Sequence, residues 1–213
     1  MKKVLLLLII LIPSLIYFLF ELSEANYKKM AYFGPKSISA NGDSVYYRVP
    51  EFQLKTEKGD SLNSNELPSV YLIGFINESY KTQGYNLKGI IEYFHLKQKD
   101  IEEVDLIIAH PSDSAKHLNY RDTLQLKNKK VTFVSYNRLD ENKIISTYFP
   151  NVEKQALPFF IVLIDANRNI RGYYNPKLVA EVKKMIQEFK HLRLKESKKE
   201  LQEQNKLEQK KKI

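Results

Sequence analysis

Apolar residues in this chain fall into short unbroken runs that alternate with stripes at helical spacing. Val70 to Ile76, in Ser-Val-Tyr-Leu-Ile-Gly-Phe-Ile-Asn, is a continuous apolar run of strand length and predicts a strand buried on both faces. Leu87, Ile90, Ile91 and Phe94, with His95 beside them, recur at helical spacing. A second buried strand is predicted at Val104 to Ala109, and Ser112-Asp113-Ser114 is placed to cap a helix through about Leu126. Val131 to Ser135 reads as a strand and Ile144 to Phe149 as a short helix. Phe159 to Ile164 is the most strand-like run, and Asp165-Ala166-Asn167-Arg168 turns it into Ile170 to Tyr174 as a hairpin. Asn175-Pro176 opens a closing helix with Val179, Val182, Met185, Ile186 and Phe189 on one face.

Upstream, Tyr46 to Leu54 alternates imperfectly and carries Pro50, as an edge strand can. The whole order predicts an α/β domain with a mixed sheet containing parallel units. A proline just before a strand, a hairpin and a final helix give the ending of a thioredoxin-like fold.

The ends have a different composition. Met1-Lys2-Lys3 precedes the largely apolar stretch Val4 to Phe20, which as a helix covers roughly 25 Å, near the lower limit for crossing a bilayer. Its length predicts a signal-anchor over residues 1–22. The flanking lysines orient it with the domain on the periplasmic side of the inner membrane. The competing expectation is a cleaved signal peptide with Ser23-Glu24-Ala25 as its site. Residues 23–45 read as a tether with Gly34-Pro35 and Asn41-Gly42 as turn signals, 46–192 as the folded domain, and 193–213 as a charged helical or disordered tail.

The 213 residues carry a formal net charge of +9. Between Lys190 and Ile213 there are nine Lys or Arg against four Glu, so the middle is only mildly basic and argues against a nucleic-acid face. The Lys-rich end suits anionic lipid or an acidic partner, or serves solubility alone. The chain contains no cysteine. Thiol exchange, thiolate metal ligation and lipidation at an N-terminal cysteine are therefore excluded for these residues.

Several segments resemble the Sco1/SenC family, membrane-anchored thioredoxin-fold proteins that handle copper during cytochrome c oxidase assembly. They are Phe33-Gly34-Pro35, Val49 to Leu54 with Lys58-Gly59, Pro111 to Ser114, Leu163-Ile164-Asp165 and Ile170 to Tyr174. The resemblance runs from about Tyr32 to Leu192. It places the family's two copper-binding cysteines on Glu78 and Thr82 and its histidine on Leu157. A carboxylate, a hydroxyl and an alkyl group do not replace the soft ligands of copper(I), so neither copper nor another cofactor is expected. The resemblance also implies a cis proline at Pro158, whereas a proline at a strand start is ordinarily trans.

The function expected from these features is that of a non-catalytic accessory or binding module facing an unidentified protein partner. Its expected edge comprises Asn77, Glu78, Tyr80, Thr82, Tyr85, Leu157 and Pro158. The alternative is a metal carrier or enzyme with a relocated site at His110, Asp113 and His117. The plain reading of the four histidines, including His95 and His191, is solvent exposure or capping. Glu78 and Asp113 have the same plain reading as surface or cap carboxylates. Asn77-Glu78-Ser79 matches a glycosylation acceptor, of consequence only in a glycosylating host.

Overall fold

The computed structural model describes residues 11–16, 30–97, 106–112, 119–126, 131–137, 141–150 and 157–211. The chain divides into a unit of residues 1–30 and a compact unit from Ala31 onward. In the first, residues 11–16 are helical. The predicted anchor otherwise lies outside the described residues, among which no helix is long and apolar enough to cross a membrane.

The second unit is built on strands β3 (Gln53–Thr56), β4 (Ser61–Asn63), β5 (Tyr71–Ile76), β6 (Leu106–Ser112), β7 (Val131–Asn137), β8 (Phe159–Ile164) and β9 (Ile170–Tyr174). They form one sheet in the order β4-β3-β7-β6-β5-β8-β9. β5, β6 and β7 are parallel, while β3, β8 and β9 join antiparallel. The apolar runs of β5 and β8 occupy interior positions of the sheet, and every residue of both is buried, as the unbroken pattern requires. Gly74 belongs there because a Cβ would come within 2.9 Å of Ile108 Cδ1 and 3.0 Å of Phe159 Cε2.

Helix α1 (Leu87–Lys97) buries Leu87, Ile90, Ile91 and Phe94, and its first turn is capped by Asn86, whose Oδ1 accepts from Gly89 N at 2.9 Å. The short helix α2 (Tyr120–Thr123) is capped by Asn119, and α3 (Glu141–Tyr148) follows β7. α4 (Val179–Lys211) buries Val182, Met185, Ile186, Phe189 and Leu192. α1 and α4 cover one face of the sheet, with Phe94 and Phe189 in contact at 5.7 Å between ring centres. Ile145 and Phe149 pack with Phe75, Phe160 and Tyr136 on the other. The result is a mixed sheet between two helical layers.

Three local expectations are corrected. The span Tyr46 to Leu54 is not one strand. A separate hairpin, β1 (Lys36–Ile38) with β2 (Ser44–Tyr46), occupies the segment read as tether and ends at Tyr46, the first residue read as domain. The chain then crosses to β3 with Val49 fully buried and its N–H donating to Arg168 O at 2.8 Å. Ser112 caps no helix, because β6 runs on and pairs it with Asn137. Asp113 and Ser114 lie outside the described residues. Val179 stands 68% exposed instead of joining the buried face. The tail, expected as helical or disordered, is helical through Lys211, with Leu194, Leu201 and Leu207 exposed.

Candidate functional site

β5 ends against β8. Tyr136 Oη donates to Ile76 O at 3.2 Å, and Asn77 N donates to Pro158 O at 2.9 Å. Asn77 Oδ1 then accepts from Ser79 N at 3.0 Å and from Ser79 Oγ at 2.8 Å, opening a single 3-10 turn over Glu78–Tyr80. Gln83 N donates to Ser79 O at 3.0 Å, and Thr82 Oγ1 donates to the same carbonyl at 2.9 Å. Gly84, with φ of +77°, reverses the chain before Tyr85 N returns to Tyr80 O at 3.1 Å. Positions 78 and 82 therefore belong to one tight turn that abuts the start of β8.

That turn does not expose all the residues expected on it. Tyr80 is 3% and Tyr85 7% exposed, so both support the loop from beneath instead of meeting a partner. Burial, with Tyr120 beside it, pushes the Tyr80 phenol well above its ordinary range. The Tyr85 ring rests 5.9 Å from Phe159. Pro158 is buried and its peptide bond is trans, the ordinary state of a proline at a strand start. Leu157 is half-buried against the core. The outward surface consists of Lys81, Thr82, Gln83 and Gly84, with Asn77 partly accessible.

His110 departs from the exposed or capping role. β6 continues through it, pairing it with Ser135, and strand alternation puts it on the face of Ile108. It is 3% exposed, with Nδ1 3.2 Å from Pro111 O and no partner at Nε2. Its ring lies 4.5 Å from Tyr120, which stacks on Phe133. Burial holds its pKa below 6.5. Asp113 and His117 lie outside the described residues. His95 and His191 sit half-buried on α1 and α4. Among the described residues no group of three or more His, Cys, Asp or Glu is placed to hold a metal.

A buried polar cluster went unseen in the sequence. Asp165 Oδ1 accepts from the amides of Asn167 and Asn169, both at 3.0 Å, and Oδ2 accepts from Arg171 Nη1 at 2.9 Å. Arg171 Nε donates to Ala31 O at 3.1 Å, so the hairpin also fixes the start of the folded unit. The turn signal at Asp165 was visible; its pairing with an arginine inside a strand was not.

No protein-family model and no curated protein matches the sequence. Solved structures do match. A Bacteroides thetaiotaomicron protein assigned as a protein disulfide isomerase is 16% identical, with a TM-score of 0.52 over 78% of this chain and 94% of that one. A SCO1/SenC family lipoprotein from Bacillus anthracis is 16% identical, with a TM-score of 0.50 over 68% of this chain and 95% of that one. The soluble domain of Sco1 from Bacillus subtilis is 18% identical, with a TM-score of 0.47 over 68% and 91%. At these identities the likeness is one of architecture: the chain has the thioredoxin-like fold found in Sco1/SenC proteins, on a sequence without cysteine.

Proposed function

We propose that this chain is a membrane-tethered, non-catalytic binding module of Sco-like build, presenting the turn after β5 to a protein partner. The observation that carries this reading is the seating of that turn on Pro158, through Asn77 N to Pro158 O at 2.9 Å. The folded loop keeps a defined outward surface, yet positions 78, 82 and 157 hold Glu, Thr and Leu. Such a surface recognises by shape and hydrogen bonding, and it lacks the soft donors that copper(I) chemistry needs. The apolar stretch Val4 to Phe20 supplies the single-pass tether and puts the domain on the periplasmic side. Assembly of cytochrome c oxidase is the setting the sequence resemblance implies.

The test is site-specific photo-crosslinking in membranes. A photoreactive residue at Thr82 captures one defined protein, and the same residue at the exposed Lys199 does not. Equal capture at both positions, or none at Thr82, rejects the edge. Mass spectrometry of the mature N-terminus tests the tether, and a chain beginning at Asn26 would rule it out.

A second reading rests on His110. Its buried Nε2 has no partner, and burial favours the neutral imidazole that binds metals. In that reading Asp113 and His117 complete a relocated metal site. Zinc or copper affinity that His110→Ala abolishes would favour it over the binding module.

A further inference from the structure

The first turns of α1 and α4 line a cleft of about 400 Å³. Its walls are apolar: Ile90 and Tyr93 from α1, with Val179 and Val182 from α4. Further along the same two helices, Phe94 meets Phe189. The volume falls near the low end of the roughly 300–1,000 Å³ typical of small-molecule sites, and the lining has their usual composition, mostly apolar with a few fixed polar groups.

The charged groups of the lining share one sign. The lining contains Lys177 and Lys183 and no carboxylate. Lys177 Nζ donates to Gln83 O at 2.8 Å and lies 5.7 Å from the centre of the Tyr85 ring, which fixes the ammonium at the rim with donors to spare. Lys183, on the adjoining turn of α4, has no ion-pair partner among the described residues. Val179 stands 68% exposed at the mouth, where a solvent-facing position would ordinarily be polar. Greasy walls under a rim of two ammonium groups are complementary to an alkyl chain ending in an anion. A wholly apolar ligand would leave the lysines unused, and a cationic amphiphile would be repelled.

We infer that the α1–α4 cleft binds a long-chain carboxylate, with the chain along Ile90, Tyr93 and Val182 and the carboxylate between Lys177 and Lys183. The cleft borders the partner-facing turn through Gly84 and Gln83 O, but the contacts assigned to the ligand lie on α1 and α4 and on Lys177, so dodecanoate binding and capture at Thr82 can fail separately.

The experiment is titration calorimetry of the full chain with dodecanoate below its micellar concentration, alongside dodecyltrimethylammonium. Dodecanoate is expected to bind saturably at micromolar concentration with one molecule per chain, and the cation to bind at least about tenfold more weakly. Lys183→Glu and Val179→Asp change exposed positions and leave the thermal midpoint in place. Each should weaken dodecanoate by about tenfold or more. Methyl resonances of Ile90 and Val182 should shift on binding in the native chain. Absence of saturable binding, equal affinity for the cationic amphiphile, or binding that neither variant weakens overturns the inference.

Discussion

Arg171 reaches Asp165 through a 2.9 Å ion pair in which both side chains are only 9% exposed. The same guanidinium lies 4.1 Å from the centre of the Tyr32 ring, and its Nε holds Ala31 O. One side chain therefore joins a hairpin turn, a strand and the first residues of the folded unit. Removing it leaves a buried carboxylate uncompensated, which typically costs about 3–5 kcal/mol. Arg171→Met is expected to lower the thermal midpoint by roughly 6–20 °C. A fall of less than about 2 °C in a calorimetric scan would show that water or relaxation replaces the pair.

The buried imidazole of His110 sets a pH dependence. Its folded pKa lies below 6.5, so the unfolded chain takes up the proton first as pH falls. Its contribution to stability is full above pH 6.5 and declines as pH drops from there toward the folded value. His191 shifts in the same direction, through burial and then Lys195 and Arg171. Glu57, whose carboxyl is raised above 4.5 by burial, works the opposite way at lower pH. Denaturant midpoints between pH 7 and 5 should fall less steeply in His110→Leu with His191→Gln than in the native chain. Parallel slopes would assign the dependence to other groups.

The placement of the degenerate ligand positions is open to a gain-of-function test. Residues 78 and 82 belong to one turn beside Pro158, so Glu78→Cys, Thr82→Cys and Leu157→His together should converge on a single soft metal. The triple variant is expected to bind one copper(I) per chain, measured by competition with a chromophoric chelator. If it folds but competes no better than the native chain, the assignment of these positions is wrong.

Truncation after Lys195 should leave the thermal midpoint within about 2 °C of the native value. Leu192 is the last buried apolar residue of α4, while Leu194, Leu201 and Leu207 stand more than half exposed. A larger drop would mean that the tail contributes to folding.

Much of the core was readable because burial writes itself into composition. The unbroken runs of β5 and β8 and the spacing of Leu87, Ile90, Ile91 and Phe94 admit little else. The β1–β2 hairpin was not readable, since all six of its residues are exposed and no apolar alternation marks it. His110 was misjudged because a polar residue at a strand end resembles a loop. Its two-residue spacing from Ile108 was the available signal for the inward face. Tyr80 and Tyr85 were expected on an outward edge, yet both are buried, because a turn that closes on itself buries its larger side chains. Val179 fits the helical stripe by spacing, yet α4 has only just begun there and nothing covers it.

Phe33 forms a bridge to Ile170, its N–H donating to Ile170 O at 3.0 Å. β9 is the last strand on that side of the sheet, so the chain's own entry segment occupies part of the rim that another molecule's strand would use. At the opposite rim β4 offers only Ser61–Asn63. A sheet whose centre is almost wholly apolar is thereby left with one occupied border and one too short to template pairing between copies. Shortening the chain past Phe33 would open the longer border, so self-association is the hazard to expect from an aggressively trimmed domain.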